Sequence, residues 1–171
     1  MESLPSKTEI VKIYSDGACS GNPGRGGYGV VLIDGGNRTE LSQGYRLTTN
    51  NRMELLAAIT ALQSLEGKRR VKLYTDSRYI SEAINLGWVK TWQAKNWRKS
   101  GRGKVLNPDL WQKLVGLLDK HQVEVIWVEG HAGHKENERA DRLAVAAAKS
   151  PALAADEGYE NSQASDQPAL F

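Results

Sequence analysis

Apolar and polar positions alternate from Ile10 to Ser15 (IVKIYS), the pattern of a strand, and Asp16-Gly17 ends it. Asn22-Pro23-Gly24 and Gly26-Gly27 make a glycine-rich turn before a second strand over 28–33. Asp34-Gly35-Gly36-Asn37 signals a hairpin into a third strand around 39–46, so the first three strands form an antiparallel meander. The period then changes. Leu55, Ala58, Ile59, Leu62 and Leu65 fall on one helical stripe, and Asn50 and Asn51 are good caps for that helix. Residues 71–75 read as a short apolar strand, and Ser77 or Arg78 opens a helix stopping near Gly87. Pro108 suits the first turn of a helix reaching about Lys120. Residues 123–128 form the last strand, and Asn137 caps a final alanine-rich helix. The order βββαβααβα, with crossover helices joining the later strands, predicts an α/β fold: a mixed five-stranded sheet with helices on both faces.

A chain of 171 residues is enough for one such domain. The pattern places a flexible N-terminus at 1–7, the domain at 8–150 and a disordered acidic tail at 151–171. The longest apolar run is six residues, Leu143 to Ala148, whereas a membrane span needs roughly 20, so no membrane is involved. The first residues have neither a basic segment nor an apolar one, so the expected location is cytoplasmic. Cys19 is the sole cysteine, which excludes an internal disulfide and a cysteine-based zinc site.

The net charge of +3 hides a division: residues 151–171 carry −4, leaving +7 for residues 1–150. Between Trp88 and Leu106 lie six basic residues and no acid, interleaved with Trp88, Trp92 and Trp97. A basic run is commonly a solvated surface, but indoles among cations suit phosphate contact with stacking on sugars or bases. A polyanionic partner is expected.

Asp16 and Asp76 close the first and fourth strands, where open parallel sheets collect ligands. Glu54 flanks the apolar stripe of its helix, and Asp141 flanks the stripe of the last helix, so both point towards the sheet. Each acid alone is explained by turn or helix-N-terminus preference. Together, without adjacent Lys or Arg beside Asp16 or Asp76, they would repel one another and raise each other's pKa. A hard divalent cation would relieve this, and oxygen-only ligation suits Mg²⁺ or Mn²⁺ over zinc.

These residues carry a resemblance. Asp16-Gly17-Ala18-Cys19 with Gly21-Asn22-Pro23-Gly24 resembles the opening motif of bacterial type 1 ribonuclease H. So do Thr48 to Leu55 (TTNNRMEL), Thr75-Asp76-Ser77, and Val128 to His134 (VEGHAGH) followed by Asn137-Glu138-Arg139-Ala140-Asp141. The four motifs fall in the family's order and the resemblance covers about residues 8–150. It implies a metal-dependent endonuclease that hydrolyses the RNA strand of RNA–DNA hybrids, leaving 5′-phosphate and 3′-hydroxyl ends. Asp16, Glu54, Asp76 and Asp141 match the family's metal-binding catalytic carboxylates, holding two Mg²⁺ ions, with Mn²⁺ as a substitute. His131 matches a loop position that carries protons or assists product release. His134 reads as structural.

The resemblance also implies substrate contacts. Cys19, Asn22, Asn50 and Asn51 match minor-groove positions reading the 2′-hydroxyl, and Thr49 and Asn107 match a DNA-phosphate pocket. Trp88 matches an aromatic that packs on DNA sugar, and Lys95, Arg98, Lys99 and Arg102 match a basic handle at about 88–106. Two departures stand out: Leu47 replaces a common Arg, with Arg46 beside it, and Arg78 stands where a Gln commonly lies next to the RNA strand. The alternatives are a catalytically silent hybrid-binding module, which should lack an acid, and an integrase or junction resolvase of the same fold, which lacks the handle. The likeness further implies a monomer. The terminal Gln167-Pro168-Ala169-Leu170-Phe171 resembles peptides that dock on the bacterial sliding clamp.

Overall fold

The computed structural model describes residues 9–98 and 105–166. Strands β1 (Ile10–Ser20), β2 (Gly24–Asp34) and β3 (Asn37–Thr48) form the expected antiparallel meander. β4 (Arg70–Thr75) runs parallel to β1, with Ser15 opposite Thr75, and β5 (Gln122–Trp127) runs parallel to β4. A sixth strand, β6 (Leu153–Ala154), adds to β3, giving the order β5-β4-β1-β2-β3-β6. The sheet therefore has six strands instead of five.

Helix α1 (Asn50–Gln63) covers one face of the sheet and is itself covered by α4 (Pro108–Lys120). Its apolar residues are buried nearly all round, because Val11, Ile13, Val30 and Leu73 lie beneath it and Trp111 and Leu114 of α4 complete the same core. Helix α5 (Lys135–Lys149) packs on the opposite face, against β1, β2 and β3. There the alternation of β2 presents Gly27, Gly29 and Val31, while Tyr28, Val30 and Leu32 face α1. A Cβ on Gly29 would lie 2.2 Å from the Ala140 carbonyl oxygen, so glycine is what allows α5 to approach. Gly29→Ala is expected to cost about 1–3 kcal/mol in urea unfolding. Gly36→Ala, whose Cβ would meet nothing within 4 Å, is the control that should stay close to wild type.

The remaining helices are α2 (Arg78–Asn85), α3 (Trp88–Ala94) and α6 (Glu157–Asp166). The Ser77 hydroxyl caps α2 by accepting from the Ile80 N–H at 3.2 Å.

Several expectations are corrected. β1 does not end at Asp16-Gly17, because pairing with β2 continues to Ser20 opposite Arg25. Gly26 and Gly27 lie inside β2, where they permit close packing and make no turn. Thr49, and neither asparagine, is the N-cap of α1, accepting from the Arg52 N–H. Helix α5 starts at Lys135 with His134 at its N-cap position, which puts Asn137 inside the first turn. α3 falls in what the sequence presents as a basic surface segment, and its indoles divide. Trp88 is exposed, whereas Trp92 packs edge-on against Trp111 at 5.7 Å and Trp97 leans on the core.

The tail is not disordered throughout, because Leu153–Ala154 form β6 and Glu157–Asp166 form α6. Its acids have distant partners: buried Asp156 binds Arg52, and Glu160 binds Arg46. Residues 1–7 and 167–171, with the clamp-like peptide, lie outside the described residues, as do Lys99 and Arg102 of the handle.

Candidate active site

β1 and β4 are parallel neighbours, so Asp16 on β1 and Asp76, one residue beyond β4, meet at one end of the sheet. Gly17 brings in the third acid. Its Cβ would lie 2.6 Å from the Glu54 nitrogen, so only glycine lets the first turns of α1 settle onto β1. Glu54 then sits beside Asp16. Carboxylate oxygens of Asp16, Glu54 and Asp76 lie within 4.8 Å of one another. Asp141, two turns into α5, lines the same cleft of about 400 Å³, together with Asn50, Asn51, Arg78 and His131.

Asp76 is held from two sides. The Trp127 indole N–H donates to its carbonyl oxygen at 3.1 Å. A Cβ on Gly130 would lie 2.7 Å from Asp76 Oδ2, so the loop after β5 also closes on it only because that residue is glycine. Neither Trp127 nor Gly130 stands out in the sequence as a site residue. Gly130 lies within the motif, but the contact it allows is visible only in three dimensions.

Burial pushes the Asp16 carboxyl up to about 8, with the Asp76 charge next and Asp141 adding less; the Gly17 N–H, donating at 2.9 Å, works the other way. Burial, then the neighbouring Asp16 and Asp76, raises Glu54 well above its ordinary value. Glu54 Oε2 is buried with no hydrogen-bond partner. Among the described residues no Lys or Arg forms an ion pair with any of the four acids. An orphaned buried oxygen inside a cluster of oxygen donors fits a hard divalent cation.

This arrangement has a sign for stability. Unfolded Asp ionises near about 3.9, whereas folded Asp16 keeps its proton up to about 8. The contribution of this group is therefore complete below about pH 4 and is lost as pH rises through about 8. In metal-free protein, thermal unfolding between about pH 5 and pH 8 should show that loss, and Asp16→Asn should flatten it. Saturating Mg²⁺ should offset it in wild type only. An equal pH slope in the variant would contradict the assignment.

The family model for RNase H matches residues 8–149. The chain belongs to the RNase H family. It is 56% identical over 161 residues to the ribonuclease H of Rippkaea orientalis, covering 94% of this chain and 97% of that protein. It is 52% identical to the ribonuclease HI of Synechocystis, covering 91% and 98%. The fold is similar to the crystal structure of LC9-RNase H1, a type 1 RNase H with the type 2 active-site motif, at a TM-score of 0.75 and 36% identity. That likeness covers 95% of this chain and 83% of the other. As an RNase H, the chain is a nuclease and a hydrolase, of a family that depends on divalent metal.

The structure of this RNase H puts the other candidate residues in three places. Asn50 and Asn51 line the cleft, and the Asn22 side chain accepts from the Asn50 N–H at 3.1 Å, joining the β1–β2 turn to α1. Cys19 lies nearby, its thiol donating to the Gly21 carbonyl at 2.8 Å; burial raises its pKa. Thr49 and Asn107 are linked through Arg52, which starts beside the Thr49 cap and donates to Asn107 Oδ1 at 3.3 Å. The Asn107 amide also donates to the Tyr79 hydroxyl, so both ends of its side chain are engaged. Trp88 opens α3 and Lys95 is its C-cap, with Arg98 three residues on. His131 is exposed at the cleft with φ of 58°, a left-handed conformation that His tolerates better than most residues. Arg46, the neighbour of Leu47, is occupied by Glu160 at 2.8 Å. No helix of the described residues is long and apolar enough to cross a membrane.

Proposed function

We propose that this RNase H hydrolyses the RNA strand of RNA–DNA hybrids, leaving 5′-phosphate and 3′-hydroxyl ends, and acts as a cytoplasmic monomer. The observation that carries this reading is the cluster of buried Asp16 and Glu54 with half-buried Asp76, unpaired with any Lys or Arg among the described residues, and Asp141 on the same cleft. Two divalent ions, Mg²⁺ with Mn²⁺ as a substitute, would be held by these four carboxylates and would supply Lewis acidity at the scissile phosphate. The chain's own groups do the rest. Glu54, fixed by α1 and buried, keeps the ligand geometry rigid, and Trp127 and Gly130 fix Asp76. His131, exposed at the rim, would carry a proton to the leaving 3′ oxygen or assist product release.

Selection for RNA needs polar groups at the 2′-hydroxyl, which Asn50 and Asn51 beside the acids provide. The exposed Trp88 would pack on DNA-strand sugar, and Lys95 and Arg98 with Lys99 and Arg102 would meet phosphates. A clamp contact through Gln167, Leu170 and Phe171 would leave this chemistry untouched.

The test offers end-labelled RNA–DNA hybrid, double-stranded RNA and double-stranded DNA, each with Mg²⁺ or with EDTA. Cleavage confined to the RNA strand of the hybrid and abolished by EDTA is expected. Binding of hybrid without cleavage would favour the silent binding module, and cleavage of double-stranded DNA would overturn the reading.

A further inference from the structure

Among the described residues one Lys or Arg lines the cleft, and an aromatic ring supports it. Arg78, the first residue of α2, lines the same cavity as Asp16, Asp76 and Asp141. Its guanidinium carbon stands 4.7 Å from the centroid of the Trp127 ring. Trp127 ends β5 and is 40% exposed, a large aromatic to leave in water. Its N–H is tied to the Asp76 carbonyl, so the ring cannot turn away without breaking that bond. The Arg78 side chain is 71% exposed, and its ion-pair partner is Glu82, one turn along α2, at a loose 3.9 Å.

A guanidinium has two separate faces of chemistry. Its π surface rests on aromatic rings, while its N–H donors lie in the plane and point outwards from the edge. Contact with Trp127 uses only the first, so the edge stays available for the two oxygens of a phosphate. The carboxylates a few residues away explain why such a support is useful. An unsupported arginine beside several acids would collapse onto them and compete for the place of the cation; stacking holds it at the mouth. The strand whose phosphates reach that mouth is the strand presented to the acids.

We propose that Arg78 and Trp127 form one recognition unit for a single phosphodiester of the cleaved strand, next to the bond that breaks, with Arg78 as the phosphate ligand and Trp127 as its positioning residue. This rests on the hybrid-hydrolase reading above, in which the cleaved strand is RNA. Replacing the neutral amide common at this position by arginine then changes the interaction from a polar contact to a charge-assisted one. It adds affinity for any phosphodiester backbone that enters the cleft, independent of base sequence.

Steady-state cleavage of hybrid by Arg78→Gln, Arg78→Lys, Trp127→Phe, Trp127→Leu and the Arg78→Gln/Trp127→Leu double variant tests this, with the salt dependence of kcat/KM measured for each. Arg78→Gln should raise KM about tenfold, with a smaller change in kcat, and should flatten the log–log salt slope by about 0.7–0.9, one phosphate contact. Arg78→Lys should keep the slope but still raise KM, because a point charge neither stacks nor binds bidentately. Trp127→Leu should raise KM roughly threefold to fivefold, and Trp127→Phe, which retains a ring, should restore most of that. In KM the double variant should be no worse than Arg78→Gln alone, while the lost Trp127 N–H bond to Asp76 lowers kcat in every Trp127 variant.

Additive losses in KM in the double variant, or a Trp127→Leu defect confined to kcat, would overturn the positioning role, since Trp127 would then act apart from Arg78, through Asp76. Unchanged KM and salt slope in Arg78→Gln, an exposed substitution that leaves the core intact, would overturn the phosphate contact. Failure of the wild type to cleave hybrid would instead be the failure of the parent reading.

Discussion

Asp76→Asn should lower kcat on RNA–DNA hybrid by about 10³-fold while leaving the metal-free protein as stable as wild type or more so. The loss follows from the geometry. Asp76 is one of three carboxylates whose oxygens lie within 4.8 Å of one another, and it faces the cleft directly. An amide keeps the shape but cannot supply the charge that a divalent ion needs. Several kcal/mol of transition-state stabilisation depend on that ion, and each 1.4 kcal/mol or so is a factor of ten. The stability gain comes from the same charge. Asp76 is the largest electrostatic contributor to the raised pKa of Asp16, and it also raises Glu54. Removing it relieves a repulsion that the folded chain holds without compensation. The two readouts together are diagnostic: a residue that merely supported the fold would lose activity and stability together. Near wild-type cleavage would remove Asp76 from the metal site, and a large fall in Tm would show that the residue is mainly structural.

The four acids were legible in the sequence because two signals coincide on them: strand-end or stripe-edge positions, and motifs in family order. Helix α4 was legible, since Pro108 suits a first turn and the end expected near Lys120 is where the helix stops. Where the sequence misled, the cause was long-range. Gly17, Gly26 and Gly27 read as chain breakers, yet each sits in a strand under a helix backbone or a side chain that no local pattern reveals. Asn50 and Asn51 read as caps because they precede the stripe; Thr49, one residue earlier, has the extended backbone and the oxygen that bonds the Arg52 N–H. Helix α3 was hidden by its charge and tryptophans, which read as a nucleic-acid surface although Trp92 packs on Trp111. The supports of Asp76, Trp127 and Gly130, are 51 and 54 residues away in sequence and leave no periodic signal.

The acidic tail misled most, and its anchor gives the largest stability effect expected outside the apolar core. Arg52→Met should cost about 3–5 kcal/mol, read as urea or thermal unfolding. Arg52 is 4% exposed and uses its whole guanidinium: Nε and Nη2 donate to Asp156 at 2.7 and 2.9 Å, and Nη1 and Nη2 donate to Asp109 at 2.9 and 2.8 Å. Asp156 is equally buried and takes a further bond from the Thr48 hydroxyl at 2.6 Å. Burial opposes charge on Arg52, but Asp109 and Asp156 outweigh it and leave its pKa raised. Gly158 closes over the pair, since a Cβ there would stand 2.6 Å from Arg52 Nη2. Methionine fills much of the volume but leaves Asp156 buried without its cation, which is the expensive outcome. Arg52→Met/Asp156→Leu should therefore recover most of the loss, and Arg52→Lys should fall between, because an ammonium cannot serve both carboxylates in the plane of a fork. Activity should follow at a distance. Arg52 lies on the same turns of α1 as Asn50, Asn51 and Glu54, so freeing β6 and α6 loosens the segment that carries a metal ligand and the groups beside the 2′-hydroxyl. Cleavage by Arg52→Met should fail at a lower temperature than in wild type, in step with its unfolding. A double variant no more stable than Arg52→Met would show that packing around the side chain, and not its charge, holds the C-terminal segment in place.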